Sequence, residues 1–182
     1  MSELFRIEHR DPETFRSQTR RSTIIVVAIF AVLGMGLPAL LIGLFGSAQE
    51  SNFGLNVTGV ALAAALTAIL VRTVFLKQPW MDSAAYGWRL KRALMRVTNQ
   101  MHQVKDGVQA GDENAMRVMR FYHLGLQEMH HLEGNSSDML ELVAEREALR
   151  GELAARGLPE EQLSLQSEWL DALKPDAKDG LK

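Results

Sequence analysis

The residues able to do chemistry gather in one stretch, MHQVKDGVQAGDENAMRVMRFYHLGLQEMHHLE, at positions 101–133. Four of the five histidines lie in it: His102, His123, His130 and His131. Glu128-x-x-His131 is the i, i+3 half-motif of carboxylate-bridged di-iron bundles, in which both ligands share one helix face. Such a site needs a second pair of this kind and two further carboxylates on facing helices. Only one pair is present, and Glu133, five residues beyond Glu128, points elsewhere. The metal-ligating candidates are therefore Glu128, His131, His102 and His123, to be gathered only if two helices pack antiparallel. The competing reading has these imidazoles as hydrogen-bonding groups at a bundle edge. His123 and His130, seven residues apart, share a face.

Catalytic motifs are absent. There is no GxSxG, no phosphate-binding P-loop, no GxGxxG and no HExxH. Ser136 and Ser137 sit at a helix start and read as capping residues. Without cysteine, thiol chemistry, disulfides and Cys-ligated metals are excluded. The expectation is a protein that is not an enzyme and carries no cofactor.

The elements that must position these residues are helical. Leu90, Leu94, Val97, Met101, Val104 and Val108 recur at alternating steps of four and three, a coiled-coil-like seam. Ala110-Gly111-Asp112 then stops that helix and caps the next. The second helix carries Ala115, Met119, Tyr122, Leu126 and Met129 inward, and a short connection makes the pair antiparallel. Gly134-Asn135 ends it. Asp138 with Glu141 forms a capping box for a third helix, with Leu142, Leu149 and Leu153 inward and Glu147–Arg150 and Glu152–Arg156 pairs on its surface. Gly157 stops the third helix, and Pro159 is expected to open a short fourth containing Trp169. No strand is expected in residues 79–173, and 174–182 is expected to be disordered.

The rest of the chain is built for a membrane. No charged residue lies between Arg21 and Glu50, or between Glu50 and Arg72. About 20 mainly apolar residues suffice to cross the hydrocarbon core, so each run reads as a spanning helix. The division expected is a basic cytoplasmic tail at 1–21, spans at 22–46 and 55–76, a short periplasmic loop at 47–54, and the helical domain at 79–173. A cleaved signal peptide is disfavoured, because the first apolar run is longer than the roughly 7–15 residues of a signal core. Asp11 and Pro12 read as an N-cap and first helical residue, opening a short interfacial helix with Phe15 toward lipid. Gly34, Gly36 and Pro38 predict a kink in the first span. Gly59, Ala63 and Thr67 form a small-residue stripe in the second, to be packed on Ala39 and Gly43 or on another copy.

Charge sets the orientation. The tail has five arginines, and Arg72, Lys77, Arg89, Lys91 and Arg92 follow the second span, while the connecting loop has no Lys or Arg. The positive-inside rule then places both flanks in the cytoplasm. Residues 72–105 hold seven Lys or Arg against one acid, and 136–182 six against eleven acids. The basic end belongs beside anionic headgroups, which is simpler than nucleic-acid binding. Trp80, Tyr86 and Trp88 are expected in the aromatic belt. Neither span holds an ionisable group at mid-membrane, which disfavours a transporter.

The segments DPETFRSQTRRS, AAYGWRLKRAL and GDENAM resemble a family of small gammaproteobacterial inner-membrane proteins catalogued as a domain of unknown function. The resemblance implies two spans and a cytoplasmic helical domain, and brings no activity or ligand set. AGDENAM is also similar to the helix junction of Sel1-like repeats, but without a repeat period it is shared turn chemistry. The fold expected is all-α: a two-helix transmembrane hairpin followed by a bundle of three to four helices. The function expected is a membrane-anchored interaction or scaffold protein. The alternative is a ligand- or metal-responsive regulator using the histidines. A protein partner or a homo-oligomer is expected; nucleic acid is not.

Overall fold

Residues 2–47, 51–135 and 139–174 are described by a computed structural model of the protein. Among the described residues the chain is all-α apart from two short strands, in the order β1 (Glu3–Arg6), α1 (Pro12–Phe45), α2 (Phe53–Thr73), α3 (Asp82–Thr98), α4 (Met101–Ala110), α5 (Glu113–Glu133), α6 (Met139–Ala155), β2 (Ser164–Gln166) and α7 (Ser167–Ala172). It divides into two compact units. One is Phe15–Ala85; the other joins Met1–Thr14 to Tyr86–Lys182. The division falls inside α1 and inside α3.

In the first unit, the uncharged runs become α1 and α2, both long and apolar enough to cross a membrane. Their outer faces are bare: Met35 is 70% exposed, Val32 67% and Leu44 66%. Asp11 caps α1 as expected, accepting the Thr14 N–H at 2.7 Å, and Pro12 is the first helical residue. The helix runs on without a break to Phe45, so there is no separate interfacial helix, and Phe15 is buried. The small-residue stripe is the packed face of α2, since Gly59, Ala63 and Thr67 are its buried residues. Its partner differs from expectation. Ala39 and Gly43 are exposed, and Gly59 meets Pro38, where an added Cβ would stand 2.6 Å from backbone atoms. A proline ring offers a flat, rigid surface, and only glycine permits that approach.

After α2 the chain makes two short 3₁₀ turns, Phe75–Lys77 and Pro79–Met81, where the Phe75 and Trp80 rings lie 5.4 Å apart. Ser83 donates to Gln18 Oε1 at 2.6 Å.

The second unit is organised around α5. Ala115, Met116, Val118, Met119, Phe121, Gly125, Met129 and Leu132 are all buried, so the helix is covered on most of its circumference rather than along one seam. Leu90, Leu94, Val97 and Val104 are buried as expected, while Met101, Val108, Tyr122 and Leu126 are half-buried. Leu94 and Leu90 lie over Gly125. The first seam is not one helix. It breaks at Asn99–Gln100, where Thr98 Oγ1 donates back to the Leu94 carbonyl and Gln100 leaves helical geometry. Side chains that compete for backbone carbonyls weaken a helix interior in this way. The expected helical bundle is present, and among the described residues it comprises α3 to α7, the first seam being shared between α3 and α4.

The junctions follow their capping chemistry. Gly111 is left-handed (φ 75°), and Asp112 accepts the Ala115 N–H at 2.8 Å. Gly134 and Gly157 close α5 and α6 in the same conformation. Leu149 and Leu153 of α6 are buried. The Glu147–Arg150 pair forms at 3.5 Å, whereas Arg156 donates to the Gly111 carbonyl. The Asp138–Glu141 box, Leu142 and residues 175–182 lie outside what is described.

Three expectations are corrected here. Pro159 does not open a helix; α7 begins at Ser167 and contains Trp169. Residues 79–173 do hold a strand, β2, formed because β1 is there to pair with it. The N-terminal segment is no tail, because β1 pairs antiparallel with β2, with Phe5 opposite Leu165. The Ile7 N–H donates to the Leu163 carbonyl at 2.8 Å, and Ile7 and Leu165 are buried. Phe5 stands 5.7 Å from the Tyr86 ring and 6.5 Å from Phe121. Each strand is too short to stand alone; apolar side chains beneath them supply the stability.

Candidate functional site

Where the N-terminal segment leaves β1 it crosses α3 and α5, and its polar residues there meet fixed partners. The Tyr86 hydroxyl accepts the Glu8 N–H at 3.0 Å and donates to the Glu8 carbonyl at 2.9 Å. Tyr86 is 1% exposed, so it is a core residue of this unit and not part of an aromatic belt. Burial holds its phenol above the usual range, and the Glu128 and Glu8 carboxylates act in the same direction. The Arg10 guanidinium lies 4.1 Å from the centre of the Tyr86 ring, a cation–π contact.

Glu128 is the buried acid of the region. Its Oε2 is 2.9 Å from His9 Nδ1, and its Oε1 accepts the Arg10 N–H at 3.3 Å. A buried carboxylate needs such partners, and here they come from residues more than a hundred positions away. Beside this pair opens a cleft of about 590 Å³, whose polar lining includes His9, Gln127, Glu128, His130, His131 and Glu161. Ile7, Leu124 and Leu163 supply apolar wall. The Nδ1 atom of His130 is buried without a hydrogen-bond partner among the described residues.

Of the four sequence candidates, Glu128 and His131 thus line one cleft. The other two are elsewhere. His102 is exposed on α4, 3.6 Å from Asp106. His123 is 3% exposed and lines a separate cleft of about 360 Å³ with Glu145 and Glu152. Burial pushes its imidazole below the ordinary value, against a smaller upward pull from Glu145. Its Nδ1 is also unpartnered among the described residues. No group of three or more His, Asp or Glu side chains stands close enough to hold a metal ion among the described residues. What the cleft can do is bind: it offers imidazoles that donate or accept, carboxylates that accept, and an apolar wall.

His9 and Glu161 were missed as site residues. His9 is 119 positions from Glu128, and nothing in its neighbourhood marks it. The Glu161 side of the cleft depends on β2, which no pattern predicts.

The basic residues named for headgroups also separate. Lys91 is paired with Glu133 at 2.6 Å, whereas Arg89 and Arg92 line a cleft on α3. Arg72 closes α2, and Lys77 closes the first 3₁₀ turn.

No curated protein and no solved structure gives a significant match to the chain. A protein family does match, over residues 5–170, under the description "protein of unknown function (DUF3087)". That match begins within β1, takes in both long apolar helices and the bundle, and ends within α7, so the chain belongs to this family.

Proposed function

We propose that this protein is a membrane-anchored interaction or scaffold protein of a bacterial inner membrane. In this reading α1 and α2 form the anchor, and the helical unit is displayed in the cytoplasm for a protein partner or a second copy. No catalytic step is assigned. The observation that carries the reading is the pairing of β1 with β2. β1 precedes both long apolar helices and β2 follows them. Residues on either side of two spans can pair only if the chain crosses the bilayer an even number of times. A single crossing would put β1 and β2 in different compartments. The cation-rich flanks and the loop without Lys or Arg then favour the cytoplasm as the shared side. Arg72, Lys77, Arg89 and Arg92 would face anionic headgroups there, while Lys91 is held by Glu133.

The test is affinity capture of the full-length chain from detergent-solubilised native membrane, after mild cross-linking. A stoichiometric companion, or a discrete homo-oligomer, is expected. Recovery of the monomer alone across a range of cross-linker would overturn the reading.

A second reading rests on the cleft at His9, Glu128, His130 and His131: a ligand- or metal-responsive regulator. Under it, full-length protein would retain near-stoichiometric zinc or iron, and His131→Ala would strip it. Metal content equal to a buffer blank removes the metal version.

A further inference from the structure

Ten arginines belong to the helical unit, and seven of them have a definite partner. Arg6 pairs with Glu3, Arg10 with Glu8, Arg117 with Glu113, Arg146 with Glu147, and Arg150 with Glu147 and Glu160. Arg120 donates to the Glu160 carbonyl and Arg156 to that of Gly111. Arg89, Arg92 and Arg96 differ. Among the described residues, none of the three has a carboxylate or carbonyl partner. They sit on one face of α3 at i, i+3 and i+7, and together line a cleft of about 360 Å³ with Leu4, Phe5 and Ala93. Three guanidinium groups within one concave surface repel one another unless an anion is present. Forked N–H donors of this kind fit the oxygens of a phosphate.

The same helix says which phosphate. Trp88 is 55% exposed and Met95 63% exposed, seven residues apart, with Arg92 between them in sequence. The Arg92 guanidinium stacks 5.2 Å from the centre of the Trp88 ring. An indole beside an unpaired arginine, with a second bare apolar side chain one heptad on, is the composition of a helix face that lies at a lipid interface. A site for a freely diffusing phosphate compound gains nothing from that exposed apolar pair.

We infer that Arg89, Arg92 and Arg96 form a discrete phosphate-binding cleft whose occupant is the headgroup phosphate of an anionic phospholipid. The inference rests on the membrane-anchored reading above and sharpens it. A diffuse attraction would count every cation of the 72–105 stretch alike. A discrete site counts three of them, Arg96 included, and leaves Lys91 to Glu133.

The test uses the full-length chain released in an uncharged detergent and examined by native mass spectrometry. One arm adds phosphatidylglycerol, a second phosphatidylcholine, and a third inorganic pyrophosphate without lipid. The wild type is expected to retain one phosphatidylglycerol per chain and to prefer it over phosphatidylcholine. Arg89→Gln and Arg92→Gln should each lower that affinity by about fivefold, the effect of one cation near an anionic surface. Arg92→Lys keeps the charge but loses the fork, and should recover only part. The control Lys91→Gln, at a cation of the same helix already paired with Glu133, should leave retention unchanged. An equal loss in that control would mean diffuse attraction and overturn the site, as would retention in Arg89→Gln/Arg92→Gln/Arg96→Gln. Arginine-dependent pyrophosphate binding with no lipid preference would keep the phosphate site but overturn the lipid assignment. Topology reporters test the membrane-anchored reading separately, so its failure can be told from failure of the cleft.

Discussion

Tyr86→Phe is the sharpest test of the claim that the N-terminal segment is part of the helical unit. The substitution removes one oxygen and keeps the ring that packs on Phe5. With it go two hydrogen bonds, at 3.0 Å and 2.9 Å, to both polar backbone groups of Glu8. Each is worth about 0.5–1.5 kcal/mol net, so the expected loss is about 1–3 kcal/mol. For a unit of this size a change of 1 kcal/mol moves Tm by roughly 4–8 °C. Full-length protein in detergent would be melted by near-ultraviolet circular dichroism, alongside hydrogen exchange at the Glu8 amide. Exchange there should accelerate about 5- to 150-fold, the same free energy expressed as a population. Tyr122→Phe is the control, since the hydroxyl of that half-buried tyrosine has no hydrogen-bond partner among the described residues. The pH dependence adds a second signature. Burial raises the folded-state pKa of Tyr86 above 10, so the folded chain keeps a proton that the unfolded chain releases. Wild type should therefore lose stability as pH rises through about 10, and the Phe variant should lose less. A Tyr86→Phe protein that melts within about 0.5 kcal/mol of wild type, with unchanged Glu8 exchange, would refute the reasoning.

Three further outcomes are expected. Gly59→Leu should lower the detergent melting temperature of the full-length protein by several degrees, because its Cβ would stand 2.6 Å from the Pro38 backbone; Gly43→Leu, with nothing within 4 Å, should not. His123 is held neutral by burial, so below about pH 6.5 the unfolded chain takes up a proton that the folded chain excludes. Stability should fall there by up to about 1.4 kcal/mol per pH unit, and His123→Leu should flatten that part of a urea-midpoint profile between pH 5 and 8. For topology, a phosphatase reporter active only outside the cytoplasm should give signal after Ser51 and none after Lys182; the reverse pattern would overturn the orientation.

What the sequence by itself determined was whatever depends on near neighbours. The two uncharged runs became two long apolar helices, because hydropathy over some twenty residues is a one-dimensional property. The Asp11–Pro12 start, the Gly111–Asp112 junction and the Gly134 and Gly157 stops appeared where capping chemistry put them, each acting over three or four residues. The Gly59, Ala63, Thr67 stripe was also legible as a packing face, though not its partner. Tertiary structure decided everything that rests on distant residues. Glu3–Arg6 carries no strand signal of its own and pairs only because β2 and the apolar side chains beneath it are brought there. Tyr86 looked like a belt aromatic until its hydroxyl met Glu8, 78 positions back. Glu128 had a local partner in the motif, His131, yet its carboxylate is satisfied by His9. Even the basic residues of α3 were ranked by contact, since Lys91 found Glu133 while Arg89, Arg92 and Arg96 found no acid among the described residues. Helix and span formation is set by the chain's own periodicity, but a buried polar group takes whichever partner the fold delivers, and no local pattern encodes that choice.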